Sequence, residues 1–290
     1  IFVLHPNNRI SPVQRKLMTT GKEKNVFNIA VEGNFDDCQN LVKAMFGDKS
    51  FANEIKMSGV NSINWARIIA QSVYYFYSYC LVEDNEQTVN FSVPTGNFGD
   101  IYAGYLAKKM GLPINKLIVA TNQNDILHRA ISMGSYEVEN VNETISPSMD
   151  IQIASNFERL IYDLNGKDDL KTINAMNDIK DKKKYILDEE KLDQIKIDFA
   201  SSRMSENEIL ETIKSVYEKF DLVLDPHSAI GYGAFDKVNI DGNNIVLATA
   251  HPSKFPEAIK KSINIKSDLP KELRFVMDEK ENYDIIENNV

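Results

Sequence analysis

The chain has 290 residues, of which 43% are hydrophobic and 26% charged, and this composition excludes a disordered chain, a collagen and a coiled-coil rod. The formal net charge of −9 argues against a nucleic-acid-binding surface, which needs basic patches. The length suggests one large domain or two lobes. Two cysteines, Cys38 and Cys80, are too few for a disulfide scaffold. Each lies in an apolar helical pattern, so we expect two buried thiols in a reducing compartment, the cytoplasm.

The first elements alternate between strand and helix. The opening segment 1–4 is apolar but too short for the middle of a signal peptide. It is typical of a strand whose first residues are missing from the sequence, so we expect the chain to be a fragment. Ser11 followed by Pro12 predicts a helix start. A strand is predicted over 26–31 and a helix over 35–46, which together favour an α/β fold with a mainly parallel sheet.

Segment 62–82 is apolar on nearly all sides of a helix, and such a helix is usually buried on several sides. Its part from 63 to 82 is long enough to span a bilayer. Asn64, Arg67 and Gln71 interrupt it, and a charge buried in lipid is costly. A core helix is therefore favoured over a membrane span.

Residues 89–120 predict a βαβ unit. A strand over 88–93 leads through a glycine-containing loop to a helix from Asp100 to Met110. Gly111 and Pro113 follow that helix, as glycine and proline often follow a helix end. The next strand is predicted over 117–120.

The composition changes at residues 163–198, where Asp, Lys and Asn dominate. We expect a charged surface insertion with short helices there. Ser205 and Glu208 form a possible capping box for a further helix. Two more short strands are predicted over 222–224 and 245–248.

The most informative loop is Gly96-Asn97-Phe98-Gly99, because it follows a strand and opens a helix. Ligands of open α/β sheets bind beyond the carboxyl ends of the strands. Glycines are expected to take positive φ and to let the backbone approach a ligand. The helix start offers unpaired N–H groups to a phosphate. The spacing matches neither the dinucleotide pattern nor a Walker loop, and a plain strand-to-helix turn is the alternative.

Two other segments carry groups suited to a ligand. Asn64 and Arg67 are three residues apart and would share a helix face, with Ser62 nearby. These donors suit an anion, although a core arginine paired with a carboxylate would also explain Arg67. Thr249 falls at a strand end, where its hydroxyl can reach a heteroaromatic nitrogen or serve a turn.

Other polar groups point to no further chemistry. Segments 155–159 and 225–227 lie at loop–helix junctions, where each can be a cap. The four histidines have no metal-ligand spacing, so no metal is predicted. The hydrolase elbow G-x-S-x-G does not occur in the sequence.

Ordered segments along most of the chain resemble the threonine synthases, which are pyridoxal-phosphate (PLP) enzymes of fold type II. The principal match is SVPTGNFGD at 92–100, followed by AKKMGLP at 107–113 and ATNQND at 120–125. Further similar segments are RISPVQ at 9–14, NSINWAR at 61–67, SPSMD at 146–150, SNFER at 155–159 and TAHPSKF at 249–255. Residues 163–198 do not match.

The resemblance implies a two-lobed α/β fold with mainly parallel sheets flanked by helices. Residues 1–60 would be the remainder of a smaller mobile lobe and 61–290 the larger PLP-binding lobe, with the site in the cleft between them. The implied reaction converts O-phospho-L-homoserine and water to L-threonine and phosphate. The resemblance implies no nucleic-acid or membrane partner and leaves the oligomeric state open.

The resemblance also assigns roles to individual residues. Those implied to bind the cofactor are Gly96, Asn97, Phe98, Gly99 and Asp100 at its phosphate and Thr249 at its pyridine nitrogen. Those implied to bind the substrate are Ser62, Asn64 and Arg67, with Asn156 and Arg159 near the same anion.

One departure concerns catalysis. The Schiff-base lysine of the resembled family lies in a Phe-Lys-Asp segment, and this sequence contains none. We expect that lysine upstream of Ile1, no catalytic lysine in this chain, and no activity of the chain alone. Two alternatives stay open: a phospho-lyase that releases phosphate without making threonine, and a non-catalytic relative that binds a phosphorylated metabolite.

Overall fold

A computed structural model describes residues 1–82 and 88–289. They form two compact units. One comprises residues 1–58, 253–256 and those from 266 onwards, and the other comprises 59–252 and 257–265. The segment from 266 onwards thus belongs to the same unit as the beginning of the chain, whereas the sequence assigned it to the larger lobe.

Helices and strands alternate through much of the chain. Up to residue 80 they are β1 (Phe2–Pro6), α1 (Pro12–Thr19), β2 (Phe27–Glu32), α2 (Phe35–Gly47), α3 (Lys49–Glu54) and α4 (Trp65–Cys80). From 89 to 164 they are β3 (Val89–Pro94), α5 (Gly99–Lys109), β4 (Ile114–Thr121), α6 (Ile126–Met133), β5 (Ser135–Glu137) and α7 (Phe157–Leu164). From 169 to 238 they are α8 (Asp169–Lys182), β6 (Lys184–Ile186), α9 (Glu189–Asp198), β7 (Phe199–Arg203), α10 (Glu206–Phe220) and α11 (Pro226–Val238). The last are β8 (Asn243–Val246), α12 (Pro256–Ile263) and β9 (Asp284–Glu287), and 3-10 helices cover Pro147–Met149, Pro252–Lys254 and Lys271–Met277.

Local capping explains why several helices begin where the sequence predicts. Ser11 caps α1, and Gln14 completes a capping box. Ser205 and Glu208 do the same for α10. Each box satisfies N–H groups that the first helical turn leaves unpaired. Both predicted helix starts are confirmed.

Each unit has its own parallel sheet. In the smaller unit the strand order is β1-β2-β9, and every pairing is parallel. In the larger unit the order is β7-β4-β3-β8, again wholly parallel. All six residues of β3 are buried, as expected for a central strand covered on both faces. The predicted α/β class is confirmed, and the carboxyl ends of all four strands lie at one edge of this sheet.

The expectation that segment 62–82 is buried on several sides is wrong. In α4, the buried side chains are Ile68, Ser72 and Tyr75, whose spacing puts them on one helical face, towards α5. The other sides are exposed, including Val73 at 60% and Tyr77 at 66%. Cys80, at the end of this helix, is exposed rather than buried, while Cys38 is buried as predicted. Within the described residues, no helix is long and apolar enough to cross a membrane.

Residues 163–198 contain α8, β6 and α9 and are charged on the outside. Ala175, Ile179, Leu187 and Ile195 from this segment enter the main core, and β6 pairs with β5 in an antiparallel ladder. The segment is therefore integrated into the larger unit by its few apolar side chains. The strand predicted over 222–224 is wrong, because this stretch runs directly into Asp225, the cap of α11.

Candidate functional site

Two loops follow neighbouring strands at the carboxyl edge of the larger sheet. β3 and β8 are paired neighbours, with Ser92 opposite Val246. The 96–99 loop follows β3, and Thr249 follows β8. Thr249 is exposed, and its backbone N–H donates to Ser228 Oγ at 3.2 Å. The sheet thus brings the glycine loop and the Thr249 segment to the same edge, as open α/β sheets do for a ligand site.

The conformation of the glycine loop differs from the expected one. Phe98, not a glycine, takes the left-handed backbone conformation, with φ 63° and ψ 9°, and neither Gly96 nor Gly99 has a positive φ. The Phe98 ring is buried and packs edge-on against Phe157, with ring centroids 5.2 Å apart. Burial of a large aromatic ring contributes about 1.5–3 kcal/mol, which offsets the cost of an unfavourable φ.

The glycines are needed for space. A Cβ on Gly96 would lie 2.6 Å from the carbonyl oxygen of Ser148, which is closer than real Cβ atoms approach a backbone oxygen. A Cβ on Gly99 would lie 3.2 Å from Ser62 Cβ and 3.3 Å from Asn156 Nδ2. The loop is thus closely surrounded by the segments around 62, 148 and 156.

The start of α5 suits an anion. Phe98 occupies the N-cap position and makes no side-chain capping hydrogen bond. The first N–H groups of a helix have no partners within the helix, and they carry the positive end of its dipole. A phosphate at this position would accept from the backbone of Gly99 and Asp100, in the way that helix starts bind phosphates.

The Asp100 carboxylate is held by a neighbouring helix. The Tyr75 hydroxyl donates to the Asp100 backbone carbonyl at 2.9 Å and lies 3.2 Å from the carboxylate Oδ1. Burial raises the pKa of Asp100 to about 6, while the hydrogen bond from Tyr75 acts in the opposite direction. A raised pKa lowers the negative charge that this carboxyl would place beside a bound phosphate. Sequence reasoning missed Tyr75. The one signal for it in the sequence is a hydroxyl on the helical face that also carries Ile68 and Ser72.

Asn97 is fixed by the residues that precede α7. Its side-chain Oδ1 accepts from Ser155 Oγ at 3.2 Å. Its backbone oxygen accepts from both Asn156 N and Asn156 Nδ2, each at 3.1 Å. The Asn97 side chain therefore already has a partner in the protein.

The segment predicted to bind a second anion lies at the start of α4. Asn64 is the N-cap: its Oδ1 accepts from Ala66 N at 2.9 Å, and its Nδ2 donates to Gly59 O at 2.6 Å. Asn64 and Arg67 are thus the N-cap and the third residue of this helix, and the backbone N–H of Arg67 donates to Asn64 O at 3.1 Å. Arg67 is exposed in the first turn and donates to Val60 O at 3.0 Å. Of the three predicted residues, Ser62 is the one that a side chain at position 99 would meet.

Arg159 connects these segments. Its Nε donates to Asn156 Oδ1 at 2.9 Å, and a terminal nitrogen donates to Ile63 O at 2.9 Å. Its guanidinium also lies over the Trp65 ring, 5.3 Å from the centroid. Arg159 thus contacts the start of both α4 and α7.

The 225–227 junction is a cap, as one reading of the sequence had it. Asp225 accepts from His227 N at 2.9 Å and from Ser228 N at 3.4 Å, and Ser228 Oγ donates to its carboxylate. Because Ser228 Oγ also accepts from Thr249 N, this cap holds the Thr249 segment. Sequence reasoning missed Ser228, since no local pattern marks a contact that spans 21 residues.

Comparison with known protein sequences finds similarity to threonine synthases. Residues 228–290 match the family model described as the C-terminal part of threonine synthase. The chain is 45% identical to the threonine synthase of Pseudomonas aeruginosa over 293 residues, covering 100% of this chain and 62% of that protein. It is also 45% identical to that of Saccharomyces cerevisiae, over 94% of this chain and 59% of that protein.

Solved structures give the same result. The PLP-bound threonine synthase from Brucella melitensis superposes with a TM-score of 0.93 at 48% identity, covering 100% of this chain and 62% of that one. The yeast enzyme superposes with a TM-score of 0.88 at 43% identity, over 99% and 61%. The chain therefore spans about three fifths of the length of the relatives it matches. Over its full length the chain is thus similar to about three fifths of the threonine synthases, and it shares their fold, including the parallel sheet.

Proposed function

We propose that this chain carries the cofactor and substrate anion sites of a threonine synthase, which converts O-phospho-L-homoserine and water to L-threonine and phosphate. The observation that carries the proposal is the uncapped start of α5, with Ser62 and Asn156 packed against Gly99. The names of the relatives with 45% identity support the same activity.

The residues at the sheet edge fit PLP. Gly96 and Gly99 lack the Cβ atoms that would fill the loop, and the α5 backbone would donate to the cofactor phosphate through Gly99 and Asp100. Asn97 and Phe98 would shape this loop, Asn97 through Ser155 and Phe98 through its buried ring. The Thr249 hydroxyl would contact the pyridine nitrogen, and a neutral partner leaves that nitrogen largely unprotonated. When bound, PLP supplies an electron sink for negative charge that develops on the substrate.

The substrate phosphate would bind at the start of α4. Ser62 and Arg67 offer a hydroxyl and a guanidinium, and arginine binds phosphate through two parallel hydrogen bonds. Asn64 would support these two as the cap of the helix, since both ends of its amide are engaged. Holding this anion near the cofactor phosphate would orient the substrate so that its γ-phosphate can leave and water can add at the β-carbon. Asn156 and Arg159 would lie beside the same anion.

The reaction also needs an amine to attach PLP and to move protons. We propose that the Schiff-base lysine is not among these 290 residues, because the Phe-Lys-Asp segment of the family does not occur in the sequence. On this proposal the chain by itself binds PLP without turning over substrate.

The test is to incubate the complete gene product with PLP and O-phospho-L-homoserine and to analyse the products by NMR. Equal amounts of threonine and phosphate are expected. Phosphate without threonine would overturn the proposal in favour of a phospho-lyase. Binding of substrate with no product would overturn it in favour of a non-catalytic relative. The 290-residue chain assayed in parallel should bind PLP, read by absorbance, and yield neither product.

A further inference from the structure

We infer that Arg159 is a positioning residue that links the cofactor-phosphate loop to the substrate-anion segment, so that filling the first orders the second. Here the cofactor-phosphate loop means residues 96–99, and the substrate-anion segment means residues 59–67. The inference rests on the proposed function for its two ligands. The contacts that carry it all lie within the larger unit.

A continuous series of hydrogen bonds joins the two segments. The backbone oxygen of Asn97 accepts from Asn156 N and Nδ2, each at 3.1 Å. The other end of the same amide, Asn156 Oδ1, accepts from Arg159 Nε at 2.9 Å. The Arg159 guanidinium then donates to the backbone oxygen of Ile63 at 2.9 Å. Each of these groups therefore holds its neighbour in one orientation.

The chemistry of the link favours a rigid connection. Asn156 is 1% exposed, so its amide gains little by exchanging these partners for water. The guanidinium is planar and presents its donors in a fixed fork, and hydrogen bonds from a charged donor are about twice as strong as neutral ones. The Trp65 ring, 5.3 Å away, supports the guanidinium from one face. A lysine has a single nitrogen at its end and cannot make both contacts with this geometry.

The two segments also approach each other at Gly99, away from Arg159. The Cβ position of Gly99 lies 3.2 Å from Ser62 Cβ and 3.3 Å from Asn156 Nδ2. A shift of the loop when phosphate binds would therefore reach Ile63 mainly through the hydrogen bonds of Arg159, since Gly99 has no Cβ to press on Ser62. Because two of the Arg159 nitrogens already donate to protein oxygens, positioning explains its contacts better than direct binding of the substrate.

The experiment is hydrogen exchange by mass spectrometry on the complete gene product, with and without PLP as the added ligand. In the wild type, PLP should slow exchange in peptides covering 96–103 and 59–67, the second by about tenfold, a typical size for coupling between sites. In Arg159→Lys, the slowing at 96–103 should persist and that at 59–67 should be largely lost. Arg274→Lys is the matched control, because Arg274 also donates to a backbone oxygen, that of Leu269, and it should behave as wild type.

The outcomes separate this inference from the proposed function. No PLP-dependent slowing at 96–103 in the wild type would defeat the cofactor site and the link together. Slowing at 96–103 alone in the wild type would leave the cofactor site in place and overturn the link. Slowing at both segments in Arg159→Lys would do the same. If Arg159→Lys does not fold, Arg159→Gln and Asn156→Ala replace it under the same criteria. The lone tryptophan, Trp65, gives an independent reading, since its fluorescence should change when Arg159 is replaced.

Discussion

The Tyr75 hydroxyl on α4 donates to the backbone carbonyl of Asp100 at 2.9 Å and lies 3.2 Å from the Asp100 carboxylate. This contact holds an acidic side chain in the first turn of α5, beside the backbone groups proposed to bind a phosphate. Burial raises the pKa of that carboxyl to about 6. The acid is therefore partly protonated near neutral pH, which changes both the stability of the fold and the charge at the site.

We expect Asp100→Asn to stabilise the protein at pH 7 and to have little effect at pH 4. The folded-state pKa of about 6 lies above the usual value of 3.8, so between these values the folded state binds more protons and stability falls as pH rises. The loss is complete above about pH 6 and amounts to about 3 kcal/mol. Urea unfolding of both proteins at several pH values measures it. A stability difference that does not change with pH would contradict the assignment.

The same carboxyl should make PLP binding depend on pH. Once ionised, Asp100 repels the cofactor phosphate, so wild-type affinity should fall relative to Asp100→Asn as pH rises through about 6. Taking the ratio of the two affinities removes the titration of PLP itself. Equilibrium titration followed by absorbance provides both constants. Equal affinities above pH 7 would show that the carboxylate does not face the phosphate.

Gly96→Ala should destabilise the protein and weaken PLP binding. Its Cβ would lie 2.6 Å from the backbone oxygen of Ser148, so the loop must shift, at a cost of about 1–3 kcal/mol. Gly47→Ala is the matched control, because a Cβ there meets nothing within 4 Å. Thermal unfolding and PLP titration together measure the effect. Normal affinity and stability in Gly96→Ala would contradict the close approach of these segments.

Elements specified by neighbouring residues could be predicted from the sequence. The caps Ser11 and Ser205 mark their helices because their partners lie three residues along the chain. The glycine loop was also identified, since a strand, a turn and a helix start are local patterns. The resemblance then indicated which of the possible ligands such a loop would hold.

Properties that depend on distant contacts could not be predicted in this way. The left-handed conformation falls on Phe98, because packing against Phe157 decides it and glycine content does not. Only one face of α4 is buried, because burial depends on which neighbours cover the helix, and periodicity alone does not reveal that. Tyr75 and Asp100 are 25 residues apart, so their contact follows only from the packing of α4 on α5.

Arg67→Ala should weaken the binding of O-phospho-L-homoserine much more than that of PLP. The guanidinium lies in the first turn of α4 and is proposed to pair with the substrate phosphate; loss of a charged hydrogen-bonding partner costs about 1.5–3 kcal/mol, or roughly 10–150-fold in affinity. Calorimetric titration of each ligand into the complete gene product separates the two effects. Arg274→Ala, which removes an exposed arginine, serves as the control. Unchanged substrate affinity in Arg67→Ala would refute the role.

The position of the cofactor phosphate is the claim on which the rest depends, and a crystal structure of the complete gene product with PLP measures it directly. We expect phosphate oxygens about 3 Å from the backbone nitrogens of Gly99 and Asp100, with the pyridine ring reaching Thr249. A phosphate bound at another part of the sheet edge, or side chains occupying the start of α5 in the PLP complex, would contradict the account.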